Sequence, residues 1–152
     1  MSSAPASTSP GSSPPAEASR HRGALVAWAL LIAYASLYPF QPLRAPGADA
    51  LALFLRPRFV VSFDIAMNTL AYAPLGALAC LHFLRGRGPF GGIWRATALG
   101  AALSVAMEGC QFFISTRVAT IYDVYANTAG AAAGGGLLLG PAESPVVTPH
   151  AR

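Results

Sequence analysis

The sequence predicts an all-α fold: a polytopic membrane protein whose four transmembrane helices form a small bundle. Apolar residues make up 54% of the 152 residues and charged residues only 11%, whereas ordinary soluble domains contain about 25% charged residues. The apolar residues gather in four long runs, and the basic residues are all arginines in or near the gaps between those runs. This placement is typical of membrane topology and argues against a nucleic-acid partner.

The first span is predicted at residues 24–40, after a disordered tail at residues 1–22 that is rich in Ser, Pro and Ala. Such a tail has too few large apolar side chains to offset the entropy of ordering. A signal peptide is the alternative interpretation, with Ala33-Tyr34-Ala35 as its cleavage site. We expect a retained helix, because Tyr38-Pro39-Phe40 is typical of a helix end at the membrane interface.

The second span is predicted at residues 59–84, after a connection that contains a short interfacial helix at residues 50–55. Pro74 lies within this span and removes the helical hydrogen bond to the carbonyl of Leu70. Because lipid offers no donor, a neighbouring helix or side chain must satisfy that carbonyl.

The third and fourth spans are predicted at residues 93–114 and 122–139. Gly130 and Gly134 in the fourth span form a small-xxx-small pattern, which lets helices approach closely and predicts a contact for an oligomer. A second disordered tail is predicted at residues 141–152, so the predicted membrane domain covers residues 23–140. Six arginines lie on the side of the two termini and four on the other side, which places both termini in the cytoplasm.

Polar residues recur near one end of three spans. Each of these spans carries a carboxylate and an amide three or four positions apart, so both side chains project from one helix face. The pairs are Asp64 with Asn68, Glu108 with Gln111, and Asp123 with Asn127. In the predicted orientation all three pairs lie near the outer face of the membrane. A charged side chain at the bilayer centre costs about 2.5 kcal/mol or more, so the pattern predicts one shared polar cluster.

Three functions would account for this cluster. A structural role would hold the helices together, although such hydrogen bonds average only about 0.6 kcal/mol in membranes. A binding or catalytic pocket would use crowded carboxylates that share protons unequally, as general acid–base catalysis requires. An ion or proton path is the third function. The sequence leaves enzymatic activity open. The catalytic candidates are Glu108, Asp123 and Asp64, and the binding candidates are Asn68, Tyr72, Gln111, Arg117 and Asn127.

Arg117 lies in the short turn between the third and fourth spans. We expect it to pair with Glu108 or Asp123, or to hold a phosphate or carboxylate group of a ligand. The sequence contains no CxxC pair, clustered Cys/His spacing or nucleotide-binding loop, so no metal and no cofactor are predicted. Cys80 and Cys110 fall near opposite faces of the membrane, too far apart for a disulfide.

The polar residues belong to motifs that extend through most of the chain. The motifs are Asp64-x3-Asn68-x3-Tyr72-x-Pro74-x-Gly76, Glu108-x2-Gln111, Arg117, and Asp123-Val124-x2-Asn127-Thr128-x-Gly130. With the Ser36-Leu37-Tyr38-Pro39-Phe40 ending of the first span, they resemble the VanZ-like family of bacterial membrane proteins over residues 25–140. Thr120 is one departure, since many members carry an acidic or another polar residue there.

The resemblance implies a helical, multi-pass protein of the bacterial cytoplasmic (inner) membrane. The family's namesake is associated with resistance to the glycopeptide teicoplanin, and most members have no assigned activity. A glycopeptide acts at the outer face on lipid-linked cell-wall precursors. We therefore expect a role in the cell envelope, with the lipid bilayer and a lipid-linked precursor as partners. The alternatives are a membrane enzyme acting on a lipid-linked headgroup and a structural or accessory membrane subunit.

Overall fold

The protein is all-helical in the part described by the structure, a computed structural model that covers residues 14–84 and 88–140. Its helices are α1 (Pro14–Leu37), α2 (Ala50–Leu55), α3 (Ser62–Phe83), α4 (Gly88–Gln111) and α5 (Ile121–Leu138). The predicted all-α class is confirmed. Two helices, α3 and α4, are long and apolar enough to cross a membrane by length and composition. The spans predicted over α1 and α5 remain predictions.

The helix ends differ from the predicted spans in ways that local chemistry explains. Helix α1 begins at Pro14, inside the segment predicted to be disordered, because proline suits the first helical position and the Ala and Glu that follow favour helix. It ends at Leu37 rather than residue 40, because Pro39 disfavours helical geometry at Tyr38. Helix α2 coincides with the predicted interfacial helix. The tail residues 1–13 and 141–152 lie outside the described residues.

Helices α3 and α5 pack backbone against backbone. A Cβ atom added at Gly130 would overlap the carbonyl of Thr69, and one added at Gly134 would overlap the carbonyl of Ala73. The face of α5 that carries Gly130 and Gly134 was predicted to contact another copy of the chain. It is instead covered by α3 of the same chain. Glycine permits this approach because only a residue without a side chain leaves room for the facing carbonyl.

The bundle buries small residues and exposes large ones. Glycine, alanine, cysteine and serine fill many of the buried positions on α3, α4 and α5. Large apolar side chains point outward from each long helix, including Leu30, Leu70, Val105 and Leu137. An exposed apolar surface of this extent is unusual for a soluble monomer and marks contact with an apolar partner.

Helix α1 packs across α3 and α4. Trp28 Nε1 donates a hydrogen bond of 2.9 Å to the carbonyl oxygen of Ala71. This carbonyl is one residue beyond the Leu70 carbonyl that Pro74 was expected to leave without its helical donor. Helix α1 thus supplies a donor to α3 within the turn that precedes Pro74.

Candidate functional site

The predicted polar residues line one cavity at the end of the bundle where α1 and α4 end and α3 and α5 begin. The cavity has a volume of about 680 Å³, which is within the range of small-molecule sites. All eight candidate residues line it: Asp64, Asn68, Tyr72, Glu108, Gln111, Arg117, Asp123 and Asn127. We refer to this space as the polar cavity.

One wall of the polar cavity comes from α1, which the sequence did not assign to the site. The wall residues are Trp28, Leu31, Ile32, Ala35 and Ser36. They recur at the three- and four-residue spacing of one helix face. This stripe is the signal that could have placed α1 at the site, but a stripe of apolar residues is also what ordinary helix packing requires.

Asp123 is held by hydrogen bonds to both of its carboxylate oxygens. Asn68 Nδ2 donates to Oδ1, and Thr120 Oγ1 donates to Oδ2 at 2.8 Å. Thr120 is also the N-cap of α5, because its hydroxyl oxygen accepts the backbone N–H of Asp123 at 3.2 Å. A threonine in this position satisfies one of the free N–H groups at the helix start.

Glu108 lies deeper in the bundle than Asp123 and is only 5% exposed. Its Oε2 accepts the backbone N–H of Thr120 at 3.0 Å. Thr120 therefore contacts both carboxylates, which gives this residue a structural role. Asp64 lines the same cavity but is exposed, so the three acids share one cavity at different degrees of burial.

Two buried polar atoms in the cavity wall have no hydrogen-bond partner within the described ranges. Asn127 Nδ2 donates to Ser104 Oγ at 2.9 Å, whereas its Oδ1 is without a donor. The hydroxyl of Tyr72 also lacks a partner. These residues are only 4% and 3% exposed, respectively. A buried polar group left unpaired costs about 1–3 kcal/mol, and both atoms are enclosed by protein rather than exposed to the cavity.

Arg117 and Gln111 bind the end of α1. In place of the expected pairing with an acid, Arg117 Nη2 donates to the carbonyls of Ala35 at 3.2 Å and Tyr38 at 2.6 Å. Gln111 Nε2 donates to the carbonyl of Ser36 at 2.9 Å. The last carbonyls of a helix have no helical donor, and these side chains supply donors to them. The spacing of residues in the sequence does not show where α1 packs, so the contact of these two side chains with α1 was not predicted.

Acidic groups outnumber basic groups in the polar cavity. Its lining includes three carboxyl groups and one guanidinium group. Within residues 14–84 and 88–140, no group of three His, Cys, Asp or Glu side chains is arranged to hold a metal ion.

A second cavity of about 460 Å³ adjoins the polar cavity. The two share Asp64, Val118 and Asp123. Most of the remaining lining is apolar: Leu53, Pro57, Phe59, Val60, Val61, Ile65 and Tyr122, with Arg58 and Thr120 among them. We refer to this space as the apolar cavity.

Comparison with known proteins identifies the family. The VanZ/LLP1 family matches residues 8–140, which include every residue that lines either cavity. No curated protein and no solved structure matches the chain. The resemblance drawn from the polar motifs is confirmed by the family match. The chain therefore belongs to the VanZ/LLP1 family.

Proposed function

We propose that this protein spans the bacterial inner membrane with four helices and binds the polar headgroup of a lipid-linked envelope molecule in the polar cavity. One observation carries the proposal: the eight predicted polar side chains, three of them acidic, line the same cavity. Membrane segments tolerate ionisable residues chiefly where these serve a function.

The four-span topology is supported by the apolar surface of each long helix. Leu30 on α1 and Leu137 on α5 are 65% and 80% exposed, and among the described helices α3 and α4 are long and apolar enough to cross a membrane. Lipid is the partner that would cover apolar side chains on all four helices at once. The arginine distribution then favours cytoplasmic termini, which puts the polar cavity at the outer face.

A ligand accounts for the cavity better than a purely structural cluster does. A structural cluster gains stability when its members satisfy one another, as Asn68, Thr120 and Asp123 do. Here the polar side chains also surround an open volume of about 680 Å³, which is within the range of small-molecule sites. A headgroup in this volume would reach the polar side chains that line it.

Glycopeptide susceptibility is the cellular phenotype that we connect with this binding. Teicoplanin-type drugs act on lipid-linked precursors at the outer face, where the proposed cavity opens. A protein that binds such a headgroup would change how much of it the drug can reach.

Retention of a lipid ligand tests the binding function directly. Ala35 lines the polar cavity and is exposed, so Ala35→Trp would fill the cavity from α1 without replacing a buried side chain. Ala27 is an exposed alanine of the same helix that lines neither cavity, and Ala27→Trp is the matched control. We expect native mass spectrometry to detect a co-purified lipid-linked molecule on the wild type and Ala27→Trp, but not on Ala35→Trp. Equal retention by both variants would exclude the polar cavity as the site.

Catalysis on the bound headgroup is the second candidate function. It is favoured by the two acids that Thr120 contacts, one almost fully buried and one half-buried, because unequal environments suit a general acid and a general base. The variant Glu108→Gln distinguishes binding of the headgroup from catalysis on it. The amide oxygen can still accept the N–H of Thr120, so binding should survive, whereas proton transfer at this position would be lost.

The phenotype of Glu108 variants follows from the same reasoning. In a deletion strain complemented with Glu108→Gln, we expect wild-type teicoplanin susceptibility if the protein only binds, and deletion-like susceptibility if it catalyses. Asp49→Asn changes an exposed carboxylate outside both cavities and serves as the control. A deletion strain with unchanged susceptibility would disprove the link to glycopeptides.

A further inference from the structure

We infer that the polar cavity opens sideways between α1 and α3, and that a lipid-linked molecule enters through this opening with its chain still in the bilayer. The inference rests on the proposed function and adds the route into the cavity and the place of the chain. It is carried by the exposure of residues that line the cavity, by the hydrogen bonds that hold α1, and by the depth of the opening. We refer to this opening as the side opening, and its residues are Leu31, Ala35, Asp64 and Met67.

The side opening is lined from both helices by residues that are also exposed. Leu31 on α1 and Met67 on α3 line the polar cavity and are 52% and 49% exposed. Ala35 and Asp64 line the cavity as well, and both are exposed. The two residues of each helix are three or four positions apart, so they lie on one helix face. Residues that line a cavity and are exposed mark its mouth, and these four place a mouth between α1 and α3.

Hydrogen bonds hold α1 on its α4 side and below the side opening. Gln111 and Arg117 donate to carbonyls at the end of α1. Towards α3, Trp28 donates to the carbonyl of Ala71, and both residues lie nine positions from the helix ends that meet at the cavity. Between this level and the helix ends, no side-chain hydrogen bond joins α1 to α3 in the described part of the chain. The edge that the side opening occupies is therefore the unfastened edge of α1.

The depth of the side opening places it among lipid chains. Leu31 lies six residues before the end of α1 and Met67 lies five residues after the start of α3, roughly 8 Å below the helix ends at 1.5 Å per residue. Helix α3 has 22 residues and a length of about 33 Å, close to the hydrocarbon thickness of about 30 Å. In the proposed four-span arrangement, Leu31 and Met67 then lie inside the hydrocarbon near its outer boundary.

A molecule with a polar headgroup and a long chain fits this arrangement. The headgroup would lie among the polar side chains of the cavity, and the chain would pass between Leu31 and Met67 into the bilayer. Such a molecule never has to expose its chain to water on the way in. A water-soluble molecule would instead use the end of the cavity, where Thr116 and Val118 of the turn between α4 and α5 line it and are exposed.

Thiol labelling inside the cavity distinguishes the two routes. Ala71 lines the polar cavity and is half-buried at the level of Trp28, so Ala71→Cys places a thiol deeper than the side opening. The full chain carries this change together with Cys80→Ala and Cys110→Ser, in vesicles of phosphatidylcholine and phosphatidylglycerol. One reagent is a phospholipid in the vesicle membrane with a maleimide on its headgroup. The other is a water-soluble sulfonated maleimide on both sides of the membrane, whose rate corrects for changes in the reactivity of the thiol itself.

Tryptophan at the side opening should block the lipid reagent selectively. We expect Met67→Trp to slow it about tenfold, a rise of about 1.4 kcal/mol in the barrier to entry, and to leave the soluble reagent unchanged. Leu70→Trp is the matched control and should change neither rate, since Leu70 is an exposed residue of α3 that lines neither cavity. Leu31→Trp and its control Leu30→Trp, at an exposed position outside both cavities, repeat the comparison from α1.

Tryptophan at the end of the cavity should have the opposite selectivity. Val118 is 74% exposed and lines the cavity away from the side opening. We expect Val118→Trp to slow the soluble reagent several-fold and to leave the lipid reagent unchanged.

The outcomes distinguish this inference from the proposed function. If Val118→Trp slows the lipid reagent and Met67→Trp does not, headgroups enter through the end of the cavity; the side opening is then overturned and the proposed function stands. Equal slowing by Met67→Trp and Leu70→Trp would also overturn the side opening, because the effect would not come from the cavity mouth. If the lipid reagent never reaches Ala71→Cys, whether or not the soluble reagent does, both the side opening and the binding of lipid headgroups are overturned.

Discussion

Thr120 links the two less exposed acids of the polar cavity. Its backbone N–H donates to Glu108, and its hydroxyl donates to Asp123 while accepting the backbone N–H of the same residue. Serine would preserve all three hydrogen bonds, whereas valine would preserve only the first. The hydroxyl therefore both caps α5 and orients a carboxylate.

Replacing this hydroxyl should destabilise the protein. We expect Thr120→Val to lower the free energy of unfolding by about 1 kcal/mol, the usual effect of losing an N-cap. Thr120→Ser should lie within about 0.5 kcal/mol of the wild type. Unfolding in mixed micelles, followed by circular dichroism, measures both variants. Equal stability of Thr120→Val and the wild type would remove the capping role.

The acids and amides of the polar cavity could be predicted from spacing, and their partners could not. Acid–amide pairs on three helices identified six of the residues that line the cavity. The partners of Arg117 and Gln111 are carbonyls at the end of α1, and no side-chain pattern marks a backbone acceptor. The exposure of Asp64 depends on how the connection before α3 folds. The spacing of polar residues in the sequence does not show how that connection folds.

At the scale of the helices, α3 and α5 form the closest pair in the bundle. Gly76, Gly130 and Gly134 each face the backbone of the opposite helix. Asp64 and Asn68 on α3 are thereby held beside Asp123 and Asn127 on α5. The small-xxx-small pattern predicted a close approach, but the sequence alone did not show whether the partner was another helix of this chain or a second copy.

Adding one methyl group at this contact should be damaging. Gly134→Ala would place a Cβ against the Ala73 carbonyl, and overpacking of this kind costs about 1–3 kcal/mol. Gly136 lies in the same helix with open space around it, so Gly136→Ala should be neutral or stabilising by up to about 1 kcal/mol through helix propensity. Thermal unfolding and membrane protein level compare the two. A stable Gly134→Ala variant would contradict the packing.

At the scale of the whole molecule, the proposed four-span topology determines on which side of the membrane the polar cavity opens. The helical class followed from composition, and α2 to α5 and the apolar part of α1 followed from the runs of apolar residues. The number of membrane spans is harder to predict from the sequence, since α5 is rich in glycine and alanine, and α1 contains Arg20, His21 and Arg22. Their average hydropathy is lowered by these glycines and by these three basic residues.

Cysteine labelling should resolve the topology. Ser115 is exposed in the turn between α4 and α5, and Phe90 is exposed near the start of α4. In a background with Cys80→Ala and Cys110→Ser, a membrane-impermeant thiol reagent added to intact cells should label Ser115→Cys and not Phe90→Cys. Permeabilised cells should label both. Labelling of both variants in intact cells would disprove the four-span orientation.

The contact between α3 and α5 also constrains how this sequence can vary over evolutionary time. Where two helix backbones are already in contact, every replacement for glycine adds atoms, so natural variation at these positions can only increase the side-chain volume. The positions with no side chain at all are consequently those at which selection should tolerate the fewest alternatives. A saturation screen of this gene would find these glycines as intolerant of substitution as the neighbouring acids, although glycine has no functional group in its side chain.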